Sequence, residues 1–205
     1  APGFMDVVVY EGAGGNTTNN VNHNLGVSPE MIIVKNRDAT SGWPVYHSAV
    51  GLSRSASLQS STMDEYASGF WSSAPTSTQF FPYGTDTNNS GGLWIAYLFA
   101  TLPGISKVGS YDGSSSDINV DCGFINGARF VLIKRTDTTG DWCLFDTLRG
   151  ISSGNDPVIK LNSTSSQDNG NDLIDPLSSG FTVVGGNSFV NNVNAGAKYL
   201  FLAIA

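Results

Sequence analysis

Two tryptophans follow short polar segments that are similar to each other in type and spacing. Trp43 follows residues 36–42, which contain Asp38, and Trp142 follows residues 135–141, which contain Asp137. An indole can stack on the face of a sugar ring, while nearby carboxylate oxygens accept hydrogen bonds from its hydroxyl groups. Trp43, Asp38, Trp142 and Asp137 are therefore the candidate residues for a pair of carbohydrate-contact sites.

A structural role for the same four residues is the competing interpretation. In that interpretation each tryptophan anchors its own hairpin in the core or at an interface. Each aspartate forms the turn, because Asp side chains readily bond to nearby backbone N–H groups. We favour the structural role and keep the ligand sites as the alternative hypothesis.

Residues that could catalyse a reaction are few. Nucleophilic hydrolysis needs a base, normally histidine, beside the nucleophile, and the sequence offers only His23 and His47. Neither lies in a nucleophile-elbow sequence, so we predict two surface histidines. Glycoside hydrolysis needs two carboxylates, which Asp64 and Glu65, followed by Tyr66, could supply, but this pair has no counterpart in the second half of the chain. We predict that the chain is not an enzyme.

Metal and cofactor sites are not expected from the sequence. The segment 168–175 is rich in oxygen ligands of the kind that calcium takes, but it lacks the closing glutamate of an EF-hand, so we predict a solvated loop. Cys122 and Cys143 do not have the spacing of a zinc site, and we favour free, buried thiols over a disulfide.

The composition excludes two classes of partner. The formal net charge is −7, which opposes binding to nucleic acid, because that binding depends on lysine and arginine at the phosphates. The longest apolar run, residues 93–100, is much shorter than the roughly 20 residues that cross a bilayer, so we predict no membrane partner. Charged residues make up only 13% of the chain against about 25% on average, so neutral polar residues form the surface, which favours turns and strands.

An internal repeat of about 100 residues organises the chain. Apolar residues and the Lys, Asp, Thr and Trp positions recur in register, which indicates two copies of one unit. The aligned segments are 3–12 with 104–113, 31–47 with 130–146, and 93–100 with 198–205. Because the offset drifts only slightly between them, insertions are expected in loops.

The aligned segments are typical of β-strands, about six in each copy. Residues 31–34, 130–133 and 93–100 are continuously apolar, which predicts central strands that are covered on both faces. Residues 43–47 and 142–146 alternate between apolar and polar, which predicts half-exposed strands. The segments 36–42 and 135–141 that join these strands are expected to form hairpin turns.

These elements predict an all-β fold of two tandem sandwich-like repeats with a jelly-roll or lectin-like architecture. The first repeat is expected to span residues 1–102 and the second residues 103–205. Because the joint is too short for a flexible tether, we expect the repeats to pack about a pseudo-twofold axis.

Four segments of the chain form a recognisable pattern: HNLGVSPEMIIVKNRDATSGWPVYH (23–47), APTSTQFFPYG (74–84), LWIAYLFA (93–100) and VLIKRTDTTGDW (131–142). Together they resemble a repeat domain of tail-fibre and other virion structural proteins from marine and cyanobacterial tailed phages. The most specific part of the resemblance is PEMIIVKNRD at residues 29–38. The second repeat departs from the first by carrying Cys122 and Cys143 in place of His23 and Pro44.

The resemblance implies a non-enzymatic virion protein, a module of a tail fibre or surface appendage that is extracellular after release. Its expected partners are other virion subunits, with a homo-oligomer as the expected state and a trimer as the specific guess, since fibres are usually threefold. Host cell-surface glycans are a candidate contact. Two alternatives stay open, a secreted carbohydrate-binding lectin and a glycan depolymerase.

Overall fold

A computed structural model describes residues 1–64, 69–187, 189–192 and 196–205 of the chain. In this part of the chain there are seventeen strands and one four-residue helix, so the predicted all-β class is confirmed. The expectation of about twelve strands is too low, in part because three of the strands have only two residues, too few to show an alternating pattern. No helix in the described ranges is long and apolar enough to span a membrane.

The chain divides into two compact units. The first unit comprises Ala1–Gln59 and Met63–Thr101, and the second comprises Ser60–Thr62 and Leu102–Ala205. The expected packing of two repeats about a pseudo-twofold axis stays a prediction.

The first unit contains one six-stranded and one two-stranded antiparallel sheet. The strand order in the six-stranded sheet is β1-β8-β3-β4-β5-β6, and β2 pairs with β7 in the small sheet. The elements are β1 (Met5–Glu11), β2 (Val21–Asn22), β3 (Met31–Asn36), β4 (Pro44–His47), β5 (Ser55–Ser57), β6 (Met63–Asp64), β7 (Gln79–Phe80), α1 (Thr85–Asn88) and β8 (Leu93–Phe99).

The second unit contains a six-stranded sheet with the order β9-β17-β11-β12-β13-β14 and a three-stranded sheet with the order β10-β16-β15. Strands at equivalent sequence positions occupy the same places in the two six-stranded sheets. The elements are β9 (Ser106–Asp112), β10 (Ile118–Asp121), β11 (Phe130–Arg135), β12 (Trp142–Asp146), β13 (Asp156–Lys160), β14 (Asp168–Asn171), β15 (Ile174–Leu177), β16 (Gly180–Val183) and β17 (Lys198–Ile204).

Each unit has its own core of aromatic and branched side chains on one face of its large sheet. In the first unit Tyr10 stacks on Trp94 with ring centroids 6.4 Å apart. In the second unit the equivalent pair, Tyr111 and Tyr199, stacks at 5.0 Å. The stacked pairs join strand β1 to β8 and strand β9 to β17 at the same point of each sheet.

The central position of β3 and β11 is confirmed, since each lies between two strands and is largely buried. The same prediction is wrong for residues 93–100. Strand β8 alternates, with Leu93 44% exposed and every second residue half-buried, because one face of this part of the sheet is open to solvent. Its equivalent, β17, is buried on both faces between Tyr199 and Ala203.

Two further expectations about exposure are wrong. Strand β4 is buried throughout rather than half-exposed, because it lies inside the sheet between β3 and β5 and both of its faces are covered. The acidic segment 168–175 is not simply a solvated loop. Residues Asp168–Asn171 pair with β13 as an edge strand, and Ile174 and Asp175 begin β15.

Candidate functional site

The two aspartates of the candidate sites connect the hairpin turns to neighbouring strands. Asp38 Oδ2 accepts a hydrogen bond of 2.8 Å from the backbone N–H of Leu93, the first residue of β8. Asp137 Oδ1 accepts one of 3.1 Å from the N–H of Lys198, the first residue of β17. The two carboxylates make the same contact in both units, which supports the structural role.

Asp137 is also bound by an arginine. Arg135 donates from Nε to Oδ1 and from Nη2 to Oδ2, each over 2.8 Å, and this bidentate pair lowers the pKa of the Asp137 carboxyl below its usual range. Bidentate guanidinium–carboxylate pairs fix both partners in orientation as well as in charge. The carboxylate of Asp137 therefore holds the turn.

The two tryptophans differ in exposure although they occupy equivalent positions. Trp142 is 0% exposed, whereas Trp43 is half-buried and has the Lys35 ammonium 5.7 Å from its ring centroid. Stacking on a sugar needs an accessible ring face, so Trp142 acts as a core anchor and only Trp43 keeps part of its indole at the surface.

The backbone around each tryptophan is fixed in the same way. The N–H of Trp43 donates to Gln59 Oε1 over 2.7 Å, and the N–H of Trp142 donates to Asn162 Oδ1 over 2.8 Å. Gln59 and Asn162 are equivalent residues at an offset of 103. The structure thus brings each tryptophan and its aspartate to one hairpin, where hydrogen bonds within the chain engage the polar groups.

In each hairpin a lysine side chain donates a hydrogen bond to a backbone carbonyl of the turn. Lys35 Nζ donates to the carbonyl of Ser41 over 2.9 Å, and Lys134 Nζ donates to the carbonyl of Gly140 over 2.5 Å. Both carbonyls lie six residues after the lysine. Lys134 is completely buried. The recurrent lysine of the repeat is therefore a turn-holding residue in both units.

Two buried asparagines were missed by sequence reasoning. Asn88 Oδ1 accepts from Ala13 N over 2.8 Å, and its Nδ2 donates to the carbonyls of Gly14 and Thr17 over 2.9 and 2.7 Å. In the second unit Asn191 Oδ1 accepts from Ser114 N over 2.6 Å. The signal was present, because the two asparagines are 103 residues apart, within the drift of the repeat offset.

The expectation of two surface histidines is wrong, since His23 and His47 are both buried. His23 Nδ1 accepts from Leu25 N over 3.2 Å, so its Nε2 carries the proton and donates to Thr76 O over 3.1 Å. His47 Nδ1 accepts from Ala49 N over 3.2 Å. Each imidazole serves as a backbone cap in a turn, which explains why it is inside.

The remaining candidates for chemistry do not form a site in the part of the chain that is described. Glu65 and Tyr66 of the possible carboxylate pair lie outside the described residues. Among the residues described, no three His, Cys, Asp or Glu side chains form a group that could hold a metal ion.

A family model with the description "Domain of unknown function (DUF7483)" matches residues 1–205. The chain belongs to this DUF7483 family. No curated protein and no solved structure matches the DUF7483 chain.

The two cysteines of the DUF7483 chain are free and buried, as expected. Burial raises the pKa of both Cys122 and Cys143 to about 12, and the thiolate is the form that reacts. We expect no labelling of the native chain by a disulfide reagent at about pH 8. In denaturant both cysteines should react, and the absorbance of the thiolate released from the reagent should correspond to two thiols per chain. Rapid labelling of the native chain would show that a cysteine is accessible.

A buried carboxylate predicts a pH dependence of stability in the DUF7483 chain. Asp156 is completely buried, and its Oδ2 accepts from Leu173 N and Ile174 N, each over 2.9 Å. Burial outweighs these hydrogen bonds and raises the pKa of Asp156. Since the pKa is higher in the folded chain, the stability contributed by the protonated form is present below the unfolded pKa and is lost as the pH rises through the folded pKa.

The test compares the free energy of unfolding of wild type and Asp156→Asn from about pH 4 to pH 7. The wild type should lose more stability over this range than the variant, which has no proton to release. Asp86→Asn, at an exposed helix position, is the matched control and should follow the wild type. Parallel curves for wild type and Asp156→Asn would contradict the prediction.

Proposed function

We propose that the chain is a non-enzymatic structural module of a virion appendage, such as a tail fibre. The observation that carries the proposal is the use of equivalent polar side chains in both units to hold backbone groups of the chain's own turns. Loops whose backbone groups are held by side chains of the same chain keep one shape, which suits a repeated building block. Asp38 and Asp137 accept from the first residues of β8 and β17, and the backbone N–H groups of Trp43 and Trp142 donate to Gln59 and Asn162.

The surface supports the same proposal. Only 13% of the residues are charged. The contacts that stabilise the folded chain are therefore mainly hydrogen bonds and apolar burial rather than ion pairs. Salt screens interactions between exposed charges and has far less effect on those two. A module held in this way keeps its hydrogen bonds and apolar contacts at the salt concentration of seawater. The proteins that the chain resembles come from marine phages. Other virion subunits are its proposed partners, and a homotrimer is its proposed state.

The proposal is tested on purified particles and on the isolated chain. Mass spectrometry and immunogold microscopy with antibodies against the chain should find it in the particle. Light scattering should give about three times the 21.6 kDa chain mass for the isolated protein. A chain that is absent from particles and secreted free into the medium would overturn the virion role, and a monomer would overturn the trimer.

A second candidate function is a carbohydrate-binding lectin, and the half-buried indole of Trp43 is the observation that favours it. A glycan array should distinguish the two functions. Sugar binding by the wild type that is lost in Trp43→Ala would support the lectin. New reducing ends after incubation with host polysaccharide would instead establish a depolymerase and replace the structural proposal.

A further inference from the structure

A groove of about 400 Å³ lies in the second unit between strands β9 and β10. Strand β9 is the edge of the six-stranded sheet and β10 is the edge of the three-stranded sheet, and the two strands do not pair with each other. The walls of the groove are therefore two sheet edges. Its size is within the range of sites that bind small ligands or short chain segments.

The equivalent gap in the first unit is bridged. There Asp6 Oδ2 of β1 accepts from the N–H of Asn24, just after β2, over 2.7 Å. The N–H of Gly3 also donates to the carbonyl of Leu25 over 2.7 Å. These two bonds connect the start of β1 to the chain that follows β2.

The second unit lacks the residue that makes this bridge. Lys107 occupies the position of Asp6 and cannot accept a hydrogen bond, because an ammonium group has only donors. Gly123 stands in the place of Asn24, and its N–H bonds instead to Asp121 Oδ1 over 2.8 Å. Neither bridging bond of the first unit has a counterpart among the described residues of the second, so the gap stays open.

The size of the side chains also changes between the units. Gly109 of β9 replaces Val8 of β1, and Phe201 of β17 replaces Ala96 of β8. A Cβ atom on Gly109 would lie only 2.8 Å from the Phe201 ring, so a larger residue at this position would displace the ring. The ring of Phe201 fills the interior from the neighbouring strand and lines the groove together with Gly109.

On each wall some backbone groups point away from the neighbouring strand of the sheet, towards its open edge. On β10 the N–H of Cys122 bonds towards β16, so the alternation of an antiparallel ladder directs the N–H and C=O groups of Asn119 and Asp121 to the open edge. On β9 the same alternation directs those of Ser110 outwards. In the described part of the chain, these backbone groups of Ser110, Asn119 and Asp121 have no hydrogen-bond partner.

We propose that this groove binds an extended peptide segment as an added strand between β9 and β10. An extended polypeptide supplies donors and acceptors on both of its edges, and along one edge they recur every second residue, about 6.6 Å apart, which is the spacing of the groups on Asn119 and Asp121. Lys107 and Asp121, on opposite walls, select side chains of complementary charge. The inference goes beyond the proposed function, because it assigns a binding site that the isolated chain possesses.

The test uses the full chain and a displayed library of random heptapeptides. Selected peptides are synthesised and titrated by calorimetry against wild type and against the double variant Lys107→Asp/Asp121→Asn. This variant places the residues of the first unit on both walls and supplies at position 107 the carboxylate acceptor that Lys107 lacks, so peptide affinity should fall at least about tenfold. The control Arg37→Asp makes the same charge reversal at an exposed position of the first unit, away from the groove, and should keep the affinity within about threefold.

Hydrogen exchange locates the bound peptide. The amides of Ser110, Asn119 and Asp121 should exchange rapidly in the free chain and slowly in the complex. Equal thermal midpoints for the variants and the wild type exclude unfolding as the cause of any loss. A library that yields no binder, equal affinity of the double variant, or protection elsewhere would overturn the proposal. Protection of the same amides by an oligosaccharide alone would also overturn it, by showing a sugar groove.

Discussion

Replacement of Trp142 by alanine is expected to lower the free energy of unfolding by about 3–5 kcal/mol. The indole is 0% exposed and is among the largest fully buried side chains of the chain. Its removal leaves a cavity that the surrounding sheet can fill only in part, so both burial and packing are lost. Chemical denaturation followed by far-ultraviolet circular dichroism measures the change without depending on tryptophan fluorescence.

The matched control is Trp43→Ala at the equivalent position of the first unit. Because the Trp43 ring is already partly in water, its loss should cost only about 1 kcal/mol. A large difference between the two variants would establish that repeat-equivalent tryptophans have different roles. Similar losses would contradict the core-anchor role assigned to Trp142 alone.

Replacement of Asn88 by alanine is expected to cost about 3 kcal/mol. The side chain is completely buried and bonds to the backbone of Ala13, Gly14 and Thr17. Alanine fills less space and removes three part-buried hydrogen bonds, each of which contributes about 0.5–1.5 kcal/mol. Urea unfolding measures the loss, and hydrogen exchange of the Ala13 amide reports whether the turn has opened.

Two further variants make this prediction specific. Asn191→Ala should give a loss of similar size, since Asn191 bonds to Ser114 and to the carbonyl of Ser116 in the same way. Asn20→Ala, at an exposed position, should change stability by less than about 0.5 kcal/mol. A loss at Asn20 equal to that at Asn88 would show that the buried hydrogen bonds are not the cause.

Parts of the fold could be predicted from sequence because local patterns determine them. The apolar runs of β3 and β11 predict buried central strands, and the polar segments after them predict hairpin turns. In both cases the residue types report directly on the local environment. The free, buried state of Cys122 and Cys143 could be anticipated for the same reason.

Exposure could not be predicted where packing between distant segments decides it. Trp43 and Trp142 have the same neighbours in sequence, yet one ring is half-buried and the other is fully buried. Strands β8 and β17 show the same contrast. A repeat in sequence gives equivalent backbone positions but does not determine which faces meet solvent.

The sequence does not predict which polar residues are buried. Asn88 and Asn191 are two of 18 asparagines in a chain rich in polar turns, so residue type alone does not distinguish them. His23 and His47 are predicted at the surface because neither lies in a nucleophile-elbow sequence, and that pattern carries no information on burial. Their backbone hydrogen bonds, which allow burial, join residues that only the folded chain identifies as partners.

The burial of Asn88 has a consequence for the choice of expression host. Asn88, Asn89 and Ser90 form an N-glycosylation sequon, which a eukaryotic secretory pathway modifies during synthesis. A glycan on Nδ2 would remove a donor to Gly14 and Thr17 and cannot fit at a site with 0% exposure. Secretion from yeast or insect cells is therefore expected to trap the chain before its first unit closes, whereas bacterial expression avoids this modification.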